Sequence, residues 1–158
     1  ILSFDPNIRE PLWKDMEDAR TQMAYGLSVC DILKISDNEI QWFSGKEDYT
    51  EGIHMLQQTY QIPLILLSMG KDGSRAYYKD MLVEVPAFLQ KNTIETTGAG
   101  DTFGACCLHH ILKYGLDNLT KQQLKEMLTF ANAAASIITT RKGALRVMPS
   151  LEEIQRLL

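Results

Sequence analysis

Apolar positions along this chain switch between two periods. Ile1–Phe4 is a short apolar run closed by Asp5-Pro6-Asn7, which predicts a buried strand and a turn. Over residues 14–29, Met16, Ala19, Met23 and Leu27 recur at three- and four-residue spacing, the signature of a helix with one buried face. Asp31–Ile35 predicts the next strand, and Ser36 stands where it would cap a short helix running to Phe43, with Gly45 ending it. Residues 51–60 read as helical until Pro63 breaks the pattern. Leu64–Leu67 is continuously apolar, as strands buried on both faces are. A turn at Gly70–Gly73 leads to two antiparallel strands, 75–79 and 82–86, joined at Asp80-Met81. Long helices over 98–114 and 120–139 follow, and Ser150 caps a last short one. Strands alternating with helices imply parallel βαβ units with helices on both faces of the sheet. The expected architecture is a three-layer α/β/α domain over residues 1–158, its sheet mostly parallel with a small antiparallel extension.

Composition narrows the function classes. The chain has 158 residues with 16 Lys+Arg against 20 Asp+Glu, a formal net charge of −4. No basic excess exists to neutralise phosphates, so neither nucleic acid nor an anionic membrane is an expected partner. No apolar run reaches the roughly 18 residues a membrane span needs. The three cysteines (Cys30, Cys106 and Cys107) are odd in number and two are adjacent, which suits core thiols in a reducing cytosol rather than a disulfide framework. His54, His109 and His110 lack zinc-type partners. The first residue is Ile within a strand pattern, so the chain is expected to be a piece of a longer cytoplasmic protein.

One stretch carries chemistry: Thr96-Thr97-Gly98-Ala99-Gly100-Asp101-Thr102-Phe103-Gly104. Glycines and alanine let the backbone approach a ligand closely. A helix begins here, and its orphan N–H groups offer an anion site. Neither Gly45-Lys46 nor Gly70-Lys71 is followed by Ser or Thr, so no Walker-A loop is present. Gly98, Gly100 and Gly104 are spaced GxGxxxG, one residue too long for the dinucleotide fingerprint, which sets aside a nicotinamide oxidoreductase. Asp101 would repel a bound phosphate. Its carboxylate makes sense beside a hydroxyl about to lose a proton, while the amides hold a phosphoryl group in transit. The competing reading is that Asp101 only caps the helix. Ser36 and Glu39 likewise match a capping box, and Gly70 and Gly73 match an ordinary turn.

Glu95-Thr96-Thr97-Gly98-Ala99-Gly100-Asp101-Thr102-Phe103 resembles the C-terminal signature of the ribokinase-like (pfkB) carbohydrate kinases. The resemblance runs on in the family's order through five segments. Ser3-Phe4-Asp5-Pro6-Asn7-Ile8-Arg9 with Leu12-Trp13 is similar to the mid-chain segment of fructokinases and 2-keto-3-deoxygluconate kinases. Lys34-Ile35-Ser36-Asp37-Asn38-Glu39 resembles the acidic strand-to-helix motif, with Ser36 where Asn is usual. Ser68-Met69-Gly70-Lys71-Asp72-Gly73 resembles the nucleotide loop. Phe130-Ala131-Asn132-Ala133-Ala134-Ala135 and Lys142-Gly143-Ala144 resemble the adenine-side helix and loop. Bacterial fructokinases are the nearest in wording.

The resemblance implies a ribokinase-like fold and ATP-dependent phosphorylation of a sugar hydroxyl. It makes Asp101 the general base, with the backbone of Gly98, Ala99, Gly100 and Asp101 as the anion hole. Ser68, Gly70, Gly73, Asn132, Gly143 and Ala144 would border ATP, and Arg9 would approach the sugar. Glu39 would help hold Mg²⁺ through water, and Glu95 (where Asp is common) and Thr97 would border a K⁺ site. Family members are about twice as long, so this chain is expected to be the nucleotide-binding C-terminal half, inactive or nearly so without the sugar-binding lid half; the resemblance leaves a homodimer open for the full-length protein. A nucleotide-binding regulatory module without turnover is the alternative, and a keto-sugar-acid acceptor is the alternative substrate.

Overall fold

A computed structural model of the protein describes residues 1–158. Its strands are β1 (Ser3–Phe4), β2 (Ile32–Ser36), β3 (Leu64–Ser68), β4 (Ser74–Tyr78) and β5 (Met81–Val85). Its helices are α1 (Met16–Val29), α2 (Asp37–Ser44), α3 (Tyr49–Thr59), α4 (Ala99–Tyr114), α5 (Lys121–Ile138) and α6 (Leu151–Leu157). The strands form one sheet in the order β1-β2-β3-β4-β5. No helix is long and apolar enough to cross a membrane.

The chain divides into two compact units. The first is Ile1–Ser68 with Tyr77–Asp80, and the second is Met69–Ala76 with Met81–Leu158. In the first unit β1, β2 and β3 are parallel, with Ser3 opposite Ile32, Ile32 opposite Leu64 and Ser36 opposite Ser68. Leu64, Ile65, Leu66 and Leu67 are all buried, as their unbroken apolar run requires of a central strand. Helix α2 packs on β2 and α3. Gly26 of α1 lets the Phe4 ring lie against the helix, since a Cβ there would sit 2.5 Å from that ring. Ile1 and Leu2, expected in a buried strand, are instead 79% and 45% exposed, and the strand shortens to Ser3–Phe4.

Side-chain caps set the helix boundaries. Asp15 accepts from the Glu17 N–H (2.9 Å), so α1 starts at Met16 rather than at Lys14. Asp48 accepts from the Thr50 and Glu51 N–H groups (2.7 and 3.0 Å), which moves the start of α3 forward to Tyr49. Gly45 ends α2 in the left-handed region, as its position predicted. The β4–β5 connection is Lys79–Asp80, one residue earlier than expected. A two-residue hairpin favours positive φ at its first position, and Lys79 has φ +52°.

In the second unit α5 packs against α4, α6 and β5. Its buried Ala131, Ala133 and Ala134 are the small side chains that such packing accommodates. Burial pushes the Cys30 thiol of the first unit and the Cys106 thiol of the second up to about 11. Thiolate is the nucleophile, so both should react with iodoacetamide far more slowly than a free cysteine near neutral pH. Mass spectrometry of native against urea-unfolded protein checks this; rapid native labelling would contradict it.

Candidate active site

Helix α4 opens on Gly98, whose φ of +78° puts the chain in the left-handed region just before the first helical residue. An added Cβ there would meet the Ala144 Cβ at 3.0 Å and Ile138 at 3.3 Å, so glycine is needed both for its conformation and for its space. The Ala99 N–H donates to the Thr96 carbonyl (3.1 Å), and the Thr102 N–H to the Gly98 carbonyl (2.9 Å). The amides of Gly98, Gly100 and Asp101 have no partner within the chain. Three donors at the positive end of a sixteen-residue helix can receive an anion. Ala99, whose amide closes the turn, contributes a small side chain instead.

Asp101 is the third residue of α4. Its side chain is exposed and takes part in no hydrogen bond or ion pair. No side chain caps α4, whereas Ser36, Thr120 and Ser150 all cap their helices in capping boxes. The capping reading of Asp101 therefore does not hold here.

The loop before α4 is tied to the end of α5. The Ile94 and Glu95 N–H groups donate to the Thr139 carbonyl (2.8 and 3.3 Å). Glu95 Oε1 accepts from the Gly143 N–H (2.6 Å), and Gly143 has φ +113°. Glu95, Gly98, Gly143 and Ala144 are thus brought together at the start of α4, while Thr97 stays exposed on the same loop.

Gly70, Gly73 and Asn132 form a second group in the same unit. The Gly73 N–H donates to the Gly70 carbonyl (3.3 Å), and the Met69 N–H to the Gly73 carbonyl (2.9 Å), which closes the turn. Gly73 lies against the Val85 carbonyl and Pro86. Asn132 of α5 is buried, and its Nδ2 donates to both the Val85 and Pro86 carbonyls (3.1 Å each). Both amide hydrogens of Asn132 are spent on the protein. Asn132→Leu should strand those two carbonyls and cost about 2 kcal/mol of stability, read from the denaturant midpoint. An unchanged midpoint would show that these bonds contribute nothing net.

Arg9, Glu39 and Ser68 belong to the first unit. Ser68 ends β3 directly opposite Ser36, which ends β2, so both stand at the carboxyl ends of parallel strands, where open α/β sheets bind ligands. Glu39 Oε2 accepts from the Ser36 N–H (2.9 Å) and hydroxyl (2.7 Å), the capping box expected from their spacing. Glu39 Oε1 accepts from the Ile8 N–H (2.9 Å). Three bonds on about four lone-pair directions leave room for a water-mediated ion but not for full metal coordination. Arg9 is exposed, without a side-chain partner in the chain.

Two features escaped sequence reasoning. Lys34 Nζ, on a largely buried side chain, pairs with Asp5 (3.2 Å). The Thr102 hydroxyl, next to Asp101, is buried without a hydrogen-bond partner. Lys34 carried a signal, as a charge within an apolar strand pattern. Thr102 carried none.

A pfkB family carbohydrate kinase model matches residues 2–151. Fructokinase-1 of Zea mays is 35% identical over 158 residues, covering 100% of this chain and 49% of that protein. A fructokinase of Klebsiella pneumoniae is 36% identical over 156 residues, covering 98% of this chain and 50% of that protein. A solved fructokinase from Vibrio cholerae O395, with fructose, ADP and calcium bound, superimposes with a TM-score of 0.89 at 28% identity, covering 99% of this chain and 50% of that one. The fold is the ribokinase-like α/β fold expected from the sequence, and the chain spans about half the length of the relatives it matches.

Proposed function

The chain belongs to the pfkB family of carbohydrate kinases, and we propose that it supplies the nucleotide and phosphoryl-transfer half of an ATP-dependent, fructokinase-like sugar kinase. The observation that carries this reading is Asp101, an exposed carboxylate free of protein partners beside three unpartnered amides. Asp101 takes the proton of a sugar hydroxyl as that oxygen attacks the γ-phosphorus of ATP. The bond from the γ-phosphorus to the bridging oxygen breaks, giving sugar phosphate and ADP. The amides of Gly98, Gly100 and Asp101 stabilise the charge on the moving phosphoryl group. Ser68, Gly70, Gly73, Asn132, Gly143 and Ala144 border the nucleotide.

Glu39 would hold Mg²⁺ through water, and the bound ion would supply neutralising charge to the phosphates. Glu95 and Thr97 would border a K⁺ ion, and Arg9 would meet the acceptor. The sugar-positioning half lies outside these 158 residues, so the isolated chain turns over little or not at all. The half-length match supports this division.

The test is ADP release by the full-length protein with ATP and a panel of sugars. Turnover on fructose is the expected result, and preference for a keto-sugar acid would reassign the acceptor. ATP binding without ADP release on any sugar would replace the reading by a nucleotide-binding module without turnover.

A further inference from the structure

We propose that Glu39 is a positioning residue whose carboxylate straps the Asp5–Arg9 loop to the first turn of α2 and thereby sets where Arg9 stands. The kinase reading enters only in what Arg9 meets, a polyhydroxyl or anionic acceptor.

Comparison with the capping box of α5 makes the case. In α5, one oxygen of Gln123 accepts from both the Thr120 N–H (2.9 Å) and its hydroxyl (3.0 Å), so a cap needs only one acceptor atom. Glu39 does the same with Oε2 toward Ser36. Its other oxygen is surplus to the cap, and it accepts the Ile8 N–H from 31 residues away at 2.9 Å. A glutamine at 39 could keep the cap but would turn its NH₂ toward the Ile8 N–H, donor against donor. Only a carboxylate serves both partners.

The rest of the loop is built to benefit from that strap. Asp5 is held by Lys34 (3.2 Å) at the loop's start. Asn7, between the two ties, has φ +45°, a conformation that needs support from its surroundings. Pro6 and Pro11 restrict the backbone on either side. Arg9 follows Ile8 directly, with its guanidinium unpaired within the chain. The loop is tied at Asp5 and at Ile8, while the Arg9 side chain stays free for an external partner.

The test uses the full-length kinase with Glu39→Gln, Arg9→Ala and the double variant. Glu39→Gln should speed Ile8 amide hydrogen exchange by about tenfold or more. It should raise the acceptor KM on the order of tenfold with the ATP KM unchanged, whatever shift in Mg²⁺ half-saturation the loss of its water-mediated contact brings. Arg9→Ala should raise the acceptor KM similarly, and the double variant should be little worse than either single change, because the two act as one unit. An Ile8 amide that stays protected in Glu39→Gln overturns the proposal, as does a shift in Mg²⁺ dependence alone. Multiplying effects in the double variant would do the same. Arg9 is exposed, so Arg9→Ala folds even if Glu39→Gln does not, and an unchanged acceptor KM in Arg9→Ala is itself decisive against the strap's function. A wild-type protein without turnover would remove the kinase reading, while Ile8 exchange would still decide whether the strap exists.

Discussion

Asp101→Asn is expected to lower sugar phosphorylation by the full-length protein by about 10²–10⁴-fold, the usual contribution of a general base. The substitution changes one atom and removes the ability to accept a proton. It should leave the fold intact, because the Asp101 carboxylate holds no hydrogen bond and caps no helix. Its favourable placement near the positive end of α4 is worth only about 0.3–1 kcal/mol at an exposed site. ATP affinity should stay within a few-fold of wild type, since the amides of Gly98, Gly100 and Asp101 are untouched. The kinetic signature is an equal fall in kcat and kcat/KM, the mark of an interaction made only in the transition state. If Asp101→Asn instead kept full turnover and lost stability, the helix-cap account would regain its place.

Gly73→Ala should be the most damaging single methyl in the chain. Its Cβ would sit 2.2 Å from the Val85 carbonyl oxygen, 2.8 Å from the Pro86 Cα and 2.9 Å from the Ala87 nitrogen. All three are backbone atoms, so no rotamer change relieves the overlap. Gly73 also has φ +99° and ψ −141°, a region essentially closed to residues with a Cβ. Conformation alone costs about 1–3 kcal/mol, and the clash adds to it. A loss of at least about 3 kcal/mol is a large share of the roughly 5–15 kcal/mol that holds a domain folded.

Gly70→Ala is the matched control. It lies three residues earlier at φ +53°, with no atom within 4 Å of the added Cβ. Only the left-handed penalty of about 1–2 kcal/mol applies. Denaturant midpoints of the two variants should therefore differ clearly, and equal midpoints would show that the Val85–Pro86 approach is not what demands glycine at 73. The two positions looked alike in sequence, as paired glycines of one turn.

Features made by neighbours in the chain were open to sequence reasoning. Ser36 with Glu39 is such a case: its partners are three residues apart, so side-chain chemistry and spacing suffice. The buried run Leu64–Leu67 and the glycine opening of α4 were readable for the same reason. The GAGD stretch was legible too, because its ligand-facing atoms are its own backbone.

Tertiary structure alone decided the rest. The strand expected at Ile1–Phe4 buries only part of its apolar surface, because burial depends on what packs across it. Asn132 spends its amide hydrogens on residues 46 and 47 positions away, and Glu95 reaches an amide 48 positions along. The surplus oxygen of Glu39 finds Ile8 only once β1 lies beside β2. Local sequence determines which groups are presented, since capping and turn chemistry act over three or four residues. Which distant groups meet them is set by how strands and helices pack, and no spacing in the chain encodes that directly.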